Sequence, residues 1–309
     1  MTVRVGVIGV GYLGRHHARV YAELEGVKLV AVADTHQKQA EDIARQHGCK
    51  AYTDYKQMFD SVDAISIVTP TINHYSIACD CITAGKDLLI EKPITTTVDE
   101  ADDLIRQAKT AKVLLQVGHL ERFNPVVAAF GPLVQEPVFF EAQRISPFQG
   151  RGTDVDITLD LMIHDIDIIL SLMPGRKIID IKASGVRVLT KTIDLAKAWI
   201  HFDNGTGALL TASRVASEKT RTLTVYDRDR HMVMDYQSME IRRYFAKDGA
   251  VVHDVMRVEP AEPLKEELRH FIACTRTRTT PRVCGLKGRD ALTVAMQAGY
   301  EIKKRWEKA

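Results

Sequence analysis

The chain has 309 residues, of which 45% are hydrophobic and 27% charged, so it is long enough for two globular domains with substantial cores. A net charge of +2 and the lack of any run of five or six like charges argue against a nucleic-acid or membrane-surface partner. Five cysteines without a C-x-x-C pair predict neither a disulfide framework nor a zinc site, and an apolar N-terminus without a cleavage site or membrane-length segment favours a cytoplasmic protein.

The first 118 residues alternate short β-rich runs with helical patterns, which predicts βαβ units around a parallel sheet. The predicted strands are residues 3–8, 28–33, 64–68, 88–90 and 113–117. The predicted helices are residues 13–24, 37–46, 74–84 and 98–109. Because ligands bind beyond the carboxyl ends of parallel strands, we expect the functional residues of this half directly after each predicted strand.

A G-x-G-x-x-G motif follows the first predicted strand at Gly9, Gly11 and Gly14. The first glycine allows a tight turn, the second lets the backbone approach a pyrophosphate, and the third lets the helix lie close to the sheet. Asp34 ends the second apolar run about twenty residues later, where an acidic residue binds the adenosine ribose. We therefore predict a dinucleotide site, and NAD over NADP because residues 35–37 offer no arginine for a 2′-phosphate.

Beyond Pro125 the pattern changes to strands separated by turns, with Asn204-Gly205 and Asp248-Gly249 as hairpin-type turns. The predicted strands are residues 138–145, 179–188, 196–202, 208–214, 222–226, 232–236 and 241–245. The predicted helices are residues 157–172, 263–274 and 289–307. This pattern predicts a dinucleotide-binding domain at 1–120 and a substrate and oligomerisation domain at 121–309. The second domain is expected to be α+β with a mostly antiparallel sheet, one face covered by a helix and the other open to solvent or a second subunit.

The predicted helix 157–172 is strongly apolar apart from a narrow polar stripe. At about 100° per residue, Asp160, His164, Asp167 and Ser171 fall on that stripe. A polar stripe on a buried helix must face a partner or a cavity, so His164, oriented by Asp160, is a candidate acid or base. The alternative is a core histidine held by a carboxylate. A metal site is disfavoured because no second histidine or cysteine lies nearby.

Lys92 follows the fourth predicted strand in Glu91-Lys92-Pro93, where the cofactor crevice of a parallel sheet opens. A lysine at such a place is often solvated surface. Next to a nicotinamide, its charge would stabilise the alkoxide that develops when a hydride leaves an alcohol carbon.

Across its whole length the chain resembles the glucose-fructose oxidoreductase, inositol dehydrogenase and rhizopine-catabolism family of NAD(P)-dependent sugar oxidoreductases. The motifs that carry the resemblance are Gly9 to Gly14, Asp34, Thr69-Pro70 followed by His74, Gly85-Lys86, Glu91-Lys92-Pro93, Arg122-Phe123-Asn124-Pro125, and Asp160 with His164 and Asp167. The resemblance implies that Lys92 lies near the nicotinamide and that His164, with Asp160, acts as acid or base. The implied cofactor contacts are Gly9, Gly11, Tyr12, Leu13, Gly14, Asp34, Thr69, Pro70, His74, Glu91 and Lys92. Met162 replaces a glycine of many members, which we expect to narrow the pocket.

Residues 117–125, 144–148, 151–154 and 160–165 resemble one branch of that family more finely. That branch oxidises the 3-hydroxyl of UDP-N-acetylglucosamine to a ketone, which a transaminase then uses on the way to the amino sugars of lipid A or related glycans. The implied substrate contacts are Lys92, His119, Arg122, Arg144, Arg151 and His164. Arg144 and Arg151 are candidates to bind the diphosphate, and surface arginines are the alternative.

Two other functions stay open. An inositol, polyol or free-sugar dehydrogenase would not need the loop arginines. A non-catalytic NAD-sensing regulator would be free to lose Lys92 or His164, and both are present. We expect a homodimer or homotetramer, formed through the open face of the antiparallel sheet.

Overall fold

The computed structural model describes residues 2–148, 150 and 155–307. The chain divides into two compact units, Met1–Leu120 with Glu262–Arg289 and Glu121–Ala261 with Asp290–Ala309. The predicted domains at 1–120 and 121–309 stay a prediction. Glu262–Arg289 belongs to the first unit, because an apolar helix in this segment packs into that unit's core.

The helices and strands of the described residues are as follows. The strands are β1 (Val3–Ile8), β2 (Val27–Ala33), β3 (Lys50–Tyr52), β4 (Ala64–Ile67), β5 (Asp87–Glu91), β6 (Leu115–Gly118), β7 (Pro137–Ile145), β8 (Ile178–Val186), β9 (Leu195–Phe202), β10 (Gly207–Ser213), β11 (Thr220–Asp227), β12 (Arg230–Asp235), β13 (Glu240–Lys247) and β14 (Ala250–Arg257). The helices are α1 (Gly14–Glu23), α2 (Gln37–His47), α3 (His74–Thr83), α4 (Val98–Ala111), α5 (Pro125–Phe130), α6 (Ile163–Leu172), α7 (Pro263–Thr277) and α8 (Gly285–Trp306). A π-helical turn, Thr158–Met162, precedes α6.

The first unit is a parallel sheet whose order, over the residues described, is β3-β2-β1-β4-β5-β6. Its apolar strands are buried because helices cover the sheet, and one core joins β1 and α1 to Leu268 and Phe271 of α7. This confirms the predicted Rossmann class. The sequence misses β3, which has three residues and no fully buried side chain and therefore leaves no apolar run.

In the second unit the described residues form a sheet of order β14-β13-β12-β11-β7-β10-β9-β8. β7 and β10 are parallel, and the other neighbouring strands pair antiparallel, so the predicted mostly antiparallel sheet is confirmed. The predicted turns join β9 to β10 and β13 to β14, with φ of 85° at Gly205, 50° at Asp248 and 75° at Gly249. The sequence misses β14, whose side chains are exposed or only partly buried.

α6 lies against the inner face of this second sheet. Ile163, Ile166 and Ile169 share a core with Ala198 and Leu210 of the strands. The helix therefore has the buried apolar surface that the sequence predicts. Within the described ranges, no helix combines the length and the apolar composition needed to cross a membrane.

Candidate active site

The glycine-rich turn after β1 shows why each glycine is needed. Gly9 has a φ of +84°, and a Cβ there would lie 2.5 Å from the Val68 carbonyl oxygen. A Cβ at Gly14 would lie 1.8 Å from the Gly9 carbonyl oxygen, so these two glycines are fixed by close packing. At Gly11 the nearest atom to such a Cβ is Gln39 Nε2 at 3.9 Å. Gly11 therefore keeps the backbone accessible, as contact with a pyrophosphate at a helix N-terminus requires.

A cleft of about 530 Å³ opens at this turn, beyond the carboxyl ends of β1, β2 and β4. The predicted residues that line it are Gly9, Gly11, Asp34, Thr69 and Pro70, and those that the sequence did not single out include Gln39, Thr53, Tyr55 and Asn73. Gln39 lies on α2, Tyr55 and Asn73 lie on short 3-10 helices, and Thr53 lies in a loop. Tyr12 and Leu13, 63% and 38% exposed, lie on the glycine-rich turn itself.

Asp34 is held in place at the rim of this cleft. Its Oδ2 accepts hydrogen bonds from the Val10 N–H and from Gln39 Nε2, both at 2.9 Å, and its Oδ1 accepts one from the His36 N–H at 2.9 Å. The carboxylate therefore has a fixed orientation before any ligand arrives. The accessible backbone at Gly11 and the N-terminus of α1 fit a pyrophosphate. The oriented Asp34 carboxylate fits the hydroxyls of a ribose, so together they suit a dinucleotide.

Buried side chains hold the loop that carries Lys92. Lys92-Pro93 is a cis peptide, and Lys92 itself is partly buried. Glu91 and His74, which were predicted to contact the cofactor, are 6% and 1% exposed. The Glu91 carboxylate faces His17, and the His74 ring nitrogens lie 2.9 Å from the Pro93 oxygen and 2.8 Å from the Thr69 oxygen. Because both side chains face protein groups, we assign them to the support of the loop instead of direct cofactor contact.

The polar stripe of the second unit begins one turn before α6. Asp160 lies on the π-helical turn, whereas His164, Asp167 and Ser171 lie on α6. The wider π-helical spacing alters the angle between Asp160 and the other three, so the regular stripe predicted at 100° per residue is wrong at this end. Arg214 Nη2 lies 3.8 Å from Asp160 Oδ2, a contact that no sequence pattern predicts.

His164 is 8% exposed and Asp167 is 2% exposed. Arg122 Nη1 lies 3.4 Å from Asp167 Oδ1, so Arg122, a predicted substrate contact, also contacts the helix of His164. His119 is 1% exposed. Arg151 lies outside the described residues.

Arg144 occupies a buried network of charges instead of the predicted diphosphate site. Its Nε and Nη2 donate to the two oxygens of Asp165 at 3.0 and 2.8 Å, and its Nη1 donates to Glu121 Oε1 at 2.9 Å. The Arg144 side chain is 3% exposed, and its guanidinium carbon lies 5.1 Å from the Tyr236 ring centre. The Nε, Nη1 and Nη2 donors of Arg144 therefore all bind protein carboxylates. We withdraw Arg144 as a diphosphate ligand.

The pKa shifts in this network follow from burial and ion pairing. Burial acts to raise the pKa of Glu121, but the charge of Arg144 and hydrogen bonds from Arg144 and Asn124 outweigh it, so the pKa is lowered. Burial raises the pKa of Asp165, with Arg144 opposing it. A second arginine, Arg221, places its Nη1 3.8 Å from Glu121 Oε1. Two arginines therefore face the two carboxylates, Glu121 and Asp165.

The parallel sheet, the glycine-lined cleft and the oriented Asp34 define a dinucleotide-binding protein. Residues 3–119 match the model of the oxidoreductase family with an NAD-binding Rossmann fold, and residues 109–229 match the C-terminal domain of the same Gfo/Idh/MocA family. The chain belongs to the Gfo/Idh/MocA family and is an NAD-dependent oxidoreductase.

Two curated relatives and two solved structures illustrate the range of similarity. UDP-N-acetylglucosamine 3-dehydrogenase of Acidithiobacillus ferrooxidans is 36% identical over 97% of each chain. The scyllo-inositol 2-dehydrogenase (NAD(+)) of Bacillus subtilis is 28% identical over 96% of this chain and 93% of that relative. The solved structure of the Acidithiobacillus ferrooxidans enzyme, 34% identical, has a TM-score of 0.93 over 98% of this chain and 99% of that one. Levoglucosan dehydrogenase, 18% identical, has a TM-score of 0.89 over 98% of each chain, a likeness of fold alone.

We expect the enzyme to prefer NAD+ over NADP+ by at least about a hundredfold in kcat/KM, because a 2′-phosphate beside the fixed Asp34 carboxylate costs several kcal/mol. Asp34→Ala should raise KM for NAD+ and narrow this ratio. Asp42→Asn, an exposed carboxylate change on α2, should leave the ratio unchanged. Initial rates with both cofactors provide the measurement, and comparable turnover with NADP+ would contradict the role of Asp34.

Proposed function

We propose that this enzyme is a dehydrogenase of a nucleotide-linked amino sugar, and that it oxidises the 3-hydroxyl of UDP-N-acetylglucosamine to a ketone. The observation that carries the proposal is the full-length likeness to a relative with that activity, at 36% identity. Lys92, Asp160 and His164 are all present at their motif positions, which favours an active enzyme over a regulator.

We assign the chemistry to three side chains. NAD+ held by Gly9, Gly11 and Asp34 would supply the acceptor for the hydride of the carbinol carbon. His164 takes the hydroxyl proton as the carbon–oxygen double bond forms, and Asp160 favours the resulting imidazolium. The Lys92 ammonium stabilises negative charge on the substrate oxygen before that proton is fully transferred. The charges balance, because one hydride and one proton leave the alcohol.

The alternative substrate class is an inositol or other polyol, which the 28% identical relative oxidises according to its name. Arg151 remains our proposed contact for the diphosphate of a nucleotide sugar. Arg122, predicted as a substrate contact, is partly exposed and lies next to the helix of His164, and we propose it as a second diphosphate contact. His119 is too deeply buried to be proposed as a direct contact, so we give it a supporting role.

The test is a panel of UDP-N-acetylglucosamine, UDP-glucose, free N-acetylglucosamine, myo-inositol and scyllo-inositol with NAD+. We expect NADH formation with UDP-N-acetylglucosamine at a kcat/KM far above the others, and a 3-keto product by mass spectrometry and NMR. Equal or better oxidation of an inositol would overturn the nucleotide-sugar assignment and leave the dehydrogenase class standing.

Arg151→Ala should raise KM for UDP-N-acetylglucosamine by about one to two orders of magnitude, since a charge-assisted contact is worth about 1.5 to 3 kcal/mol. The dissociation constant for NAD+ should hardly change. Arg228→Ala is a suitable control, because this exposed arginine pairs with surface Glu136. An unchanged KM in Arg151→Ala would make this arginine a surface residue.

We further propose that the open face of the second sheet binds a second copy of the chain. Rings from neighbouring strands stack across that face, with centroids 5.8 Å apart for Phe139 and Tyr226, 5.5 Å for Tyr226 and His231, and 4.4 Å for His231 and Tyr244. The register of the paired strands places acidic Glu141 and basic side chains such as Lys197 and Arg242 on the same face as these rings. A face with both signs of charge can pair with itself across a two-fold axis.

Light scattering should therefore give a dimer or tetramer. Tyr244→Glu should shift the protein toward monomer, because it places a charge in the middle of the ring stack. Lys247→Glu, at the hairpin end of β13, is the control. A monomeric parent protein would refute this proposal.

A further inference from the structure

Three elements of the first unit converge on one carboxylate at the end of β5. Glu91 is the last residue of that strand and is 6% exposed. His17, on α1 and fully buried, places its Nε2 3.1 Å from Glu91 Oε1. Since a carboxylate only accepts hydrogen bonds, the His17 Nε2–H donates. The other oxygen, Oε2, accepts the backbone N–H of Lys92 at 3.2 Å.

The third element is β6, which leaves room for this carboxylate. Gly118 lies opposite Glu91 in the parallel register of β5 and β6. A Cβ on Gly118 would lie 2.8 Å from Glu91 Cδ and Oε1 and 2.9 Å from Oε2. The backbone of Gly118 does not have the positive φ that favours glycine. The residue is therefore glycine for reasons of space, and the space is filled by the carboxylate.

These contacts form a continuous path from α1 to the backbone of Lys92. Burying a carboxylate without a hydrogen-bond donor is costly, so the position of His17 dictates the position of the Glu91 oxygens. Glu91 Oε2 in turn accepts the hydrogen bond from the Lys92 backbone N–H. It therefore fixes the backbone that carries the Lys92 side chain. On the far side of Lys92, the contact between His74 and the Pro93 backbone oxygen holds the peptide that follows Pro93.

We propose that His17, Glu91 and Gly118 are positioning residues for Lys92, and that they set the rate of the hydride-transfer step through it. This inference rests on the proposed catalytic role of Lys92. It goes beyond that role because none of the three residues needs to touch substrate or cofactor. A misplacement of a reacting group by about 1 Å can cost a hundredfold in rate, so small shifts of this loop matter.

A double-mutant cycle tests the proposal. We expect His17→Leu to lower kcat by about ten- to a hundredfold and to change the dissociation constant for NAD+ by less than about threefold. His17→Gln, which keeps an N–H donor near the Nε2 position, should recover most of that loss. Added to Lys92→Met, His17→Leu should cause little further loss, because residues that act through one another are not additive. His47→Leu, a partly buried histidine at the end of α2, is the control.

Backbone hydrogen exchange gives a readout independent of turnover. In His17→Leu the amide of Lys92 should exchange at least about tenfold faster than in the parent protein, while the amides of β1 keep their protection. Gly118→Ala should have the same effect, because its Cβ displaces the Glu91 carboxylate from the opposite side. This second variant also carries the test if His17→Leu does not fold.

The outcomes separate the two proposals. Near-normal turnover of Lys92→Met would remove the catalytic role of Lys92 and with it the basis of this inference. A slow Lys92→Met combined with fully additive loss in the double variant would overturn the positioning role alone. Unchanged exchange at Lys92 in both His17→Leu and Gly118→Ala would overturn it as well.

Discussion

Replacement of His164 by asparagine should lower kcat by about two to four orders of magnitude, the usual loss when a positioned acid or base is removed. Asparagine keeps a polar group on the buried face of α6, so we expect the melting temperature and the NAD+ affinity to stay close to those of the parent protein. His164→Ala should have the same kinetic effect with a larger loss of stability. Lys92→Ala should lower kcat over a similar range, because it removes the cation that stabilises the developing oxyanion.

Ser171→Ala is the matched control for the His164 variants. Ser171 lies further along the same helix, and its hydroxyl donates to the Ile168 oxygen, so its removal should leave turnover unchanged. Stopped-flow detection of NADH separates the chemical step from product release. Near-normal turnover of His164→Asn would refute the role of His164 as acid or base. His164 would then be a core histidine held by a carboxylate.

Arg144→Met should destabilise the protein by about 3 to 5 kcal/mol at neutral pH, the usual cost of removing one partner from a buried ion pair. The substitution leaves the carboxylates of Glu121 and Asp165 inside the second unit without their main counter-charge. Chemical denaturation of the parent and the variant measures the difference. Arg228→Met, at an exposed ion pair, should change the free energy of unfolding by less than about 1 kcal/mol.

The pH dependence of that loss has a definite sign. The pKa of Glu121 is lowered in the folded protein, so its ion pairing stabilises the fold above the unfolded pKa of about 4.3 and is lost as the pH falls. In Arg144→Met the buried carboxylates can take up protons instead of remaining charged. The difference between parent and variant should therefore shrink as the pH falls from neutral toward about 4. A variant of normal stability with a raised KM for UDP-N-acetylglucosamine would instead restore Arg144 as a diphosphate ligand.

The sequence predicts the cofactor half of the molecule well because its signals are local. Gly9, Gly11 and Gly14 are required by the geometry of one turn, and Asp34 follows a strand at a spacing set by one βαβ unit. The remaining lining residues, such as Tyr55 and Asn73, reach the cleft from two separate 3-10 helices. Their proximity depends on the strand order of the sheet, which periodicity does not encode.

The second half shows where reasoning from a helical wheel fails. Asp165 falls outside the stripe of His164 and Asp167, yet it is 2% exposed and paired with Arg144. The pairing joins residues twenty-one positions apart on different elements, β7 and α6. Arg144 looked like a ligand-binding arginine because the sequence shows its charge and its neighbours along the chain, and not the two carboxylates that surround it.

The return of α7 to the first unit bears on how the polypeptide reaches its folded state. Leu268, Phe271 and Ile272 complete the core around β1 and α1, and they are synthesised about 150 residues after β6 ends at Gly118. A nascent chain that has emerged only as far as Leu120 therefore holds a full set of Rossmann strands with one side of its core still facing water. Such exposed apolar surface is what chaperones bind and what promotes aggregation. We expect the cofactor unit to become stable only after α7 has been synthesised, even though most of that unit is made first.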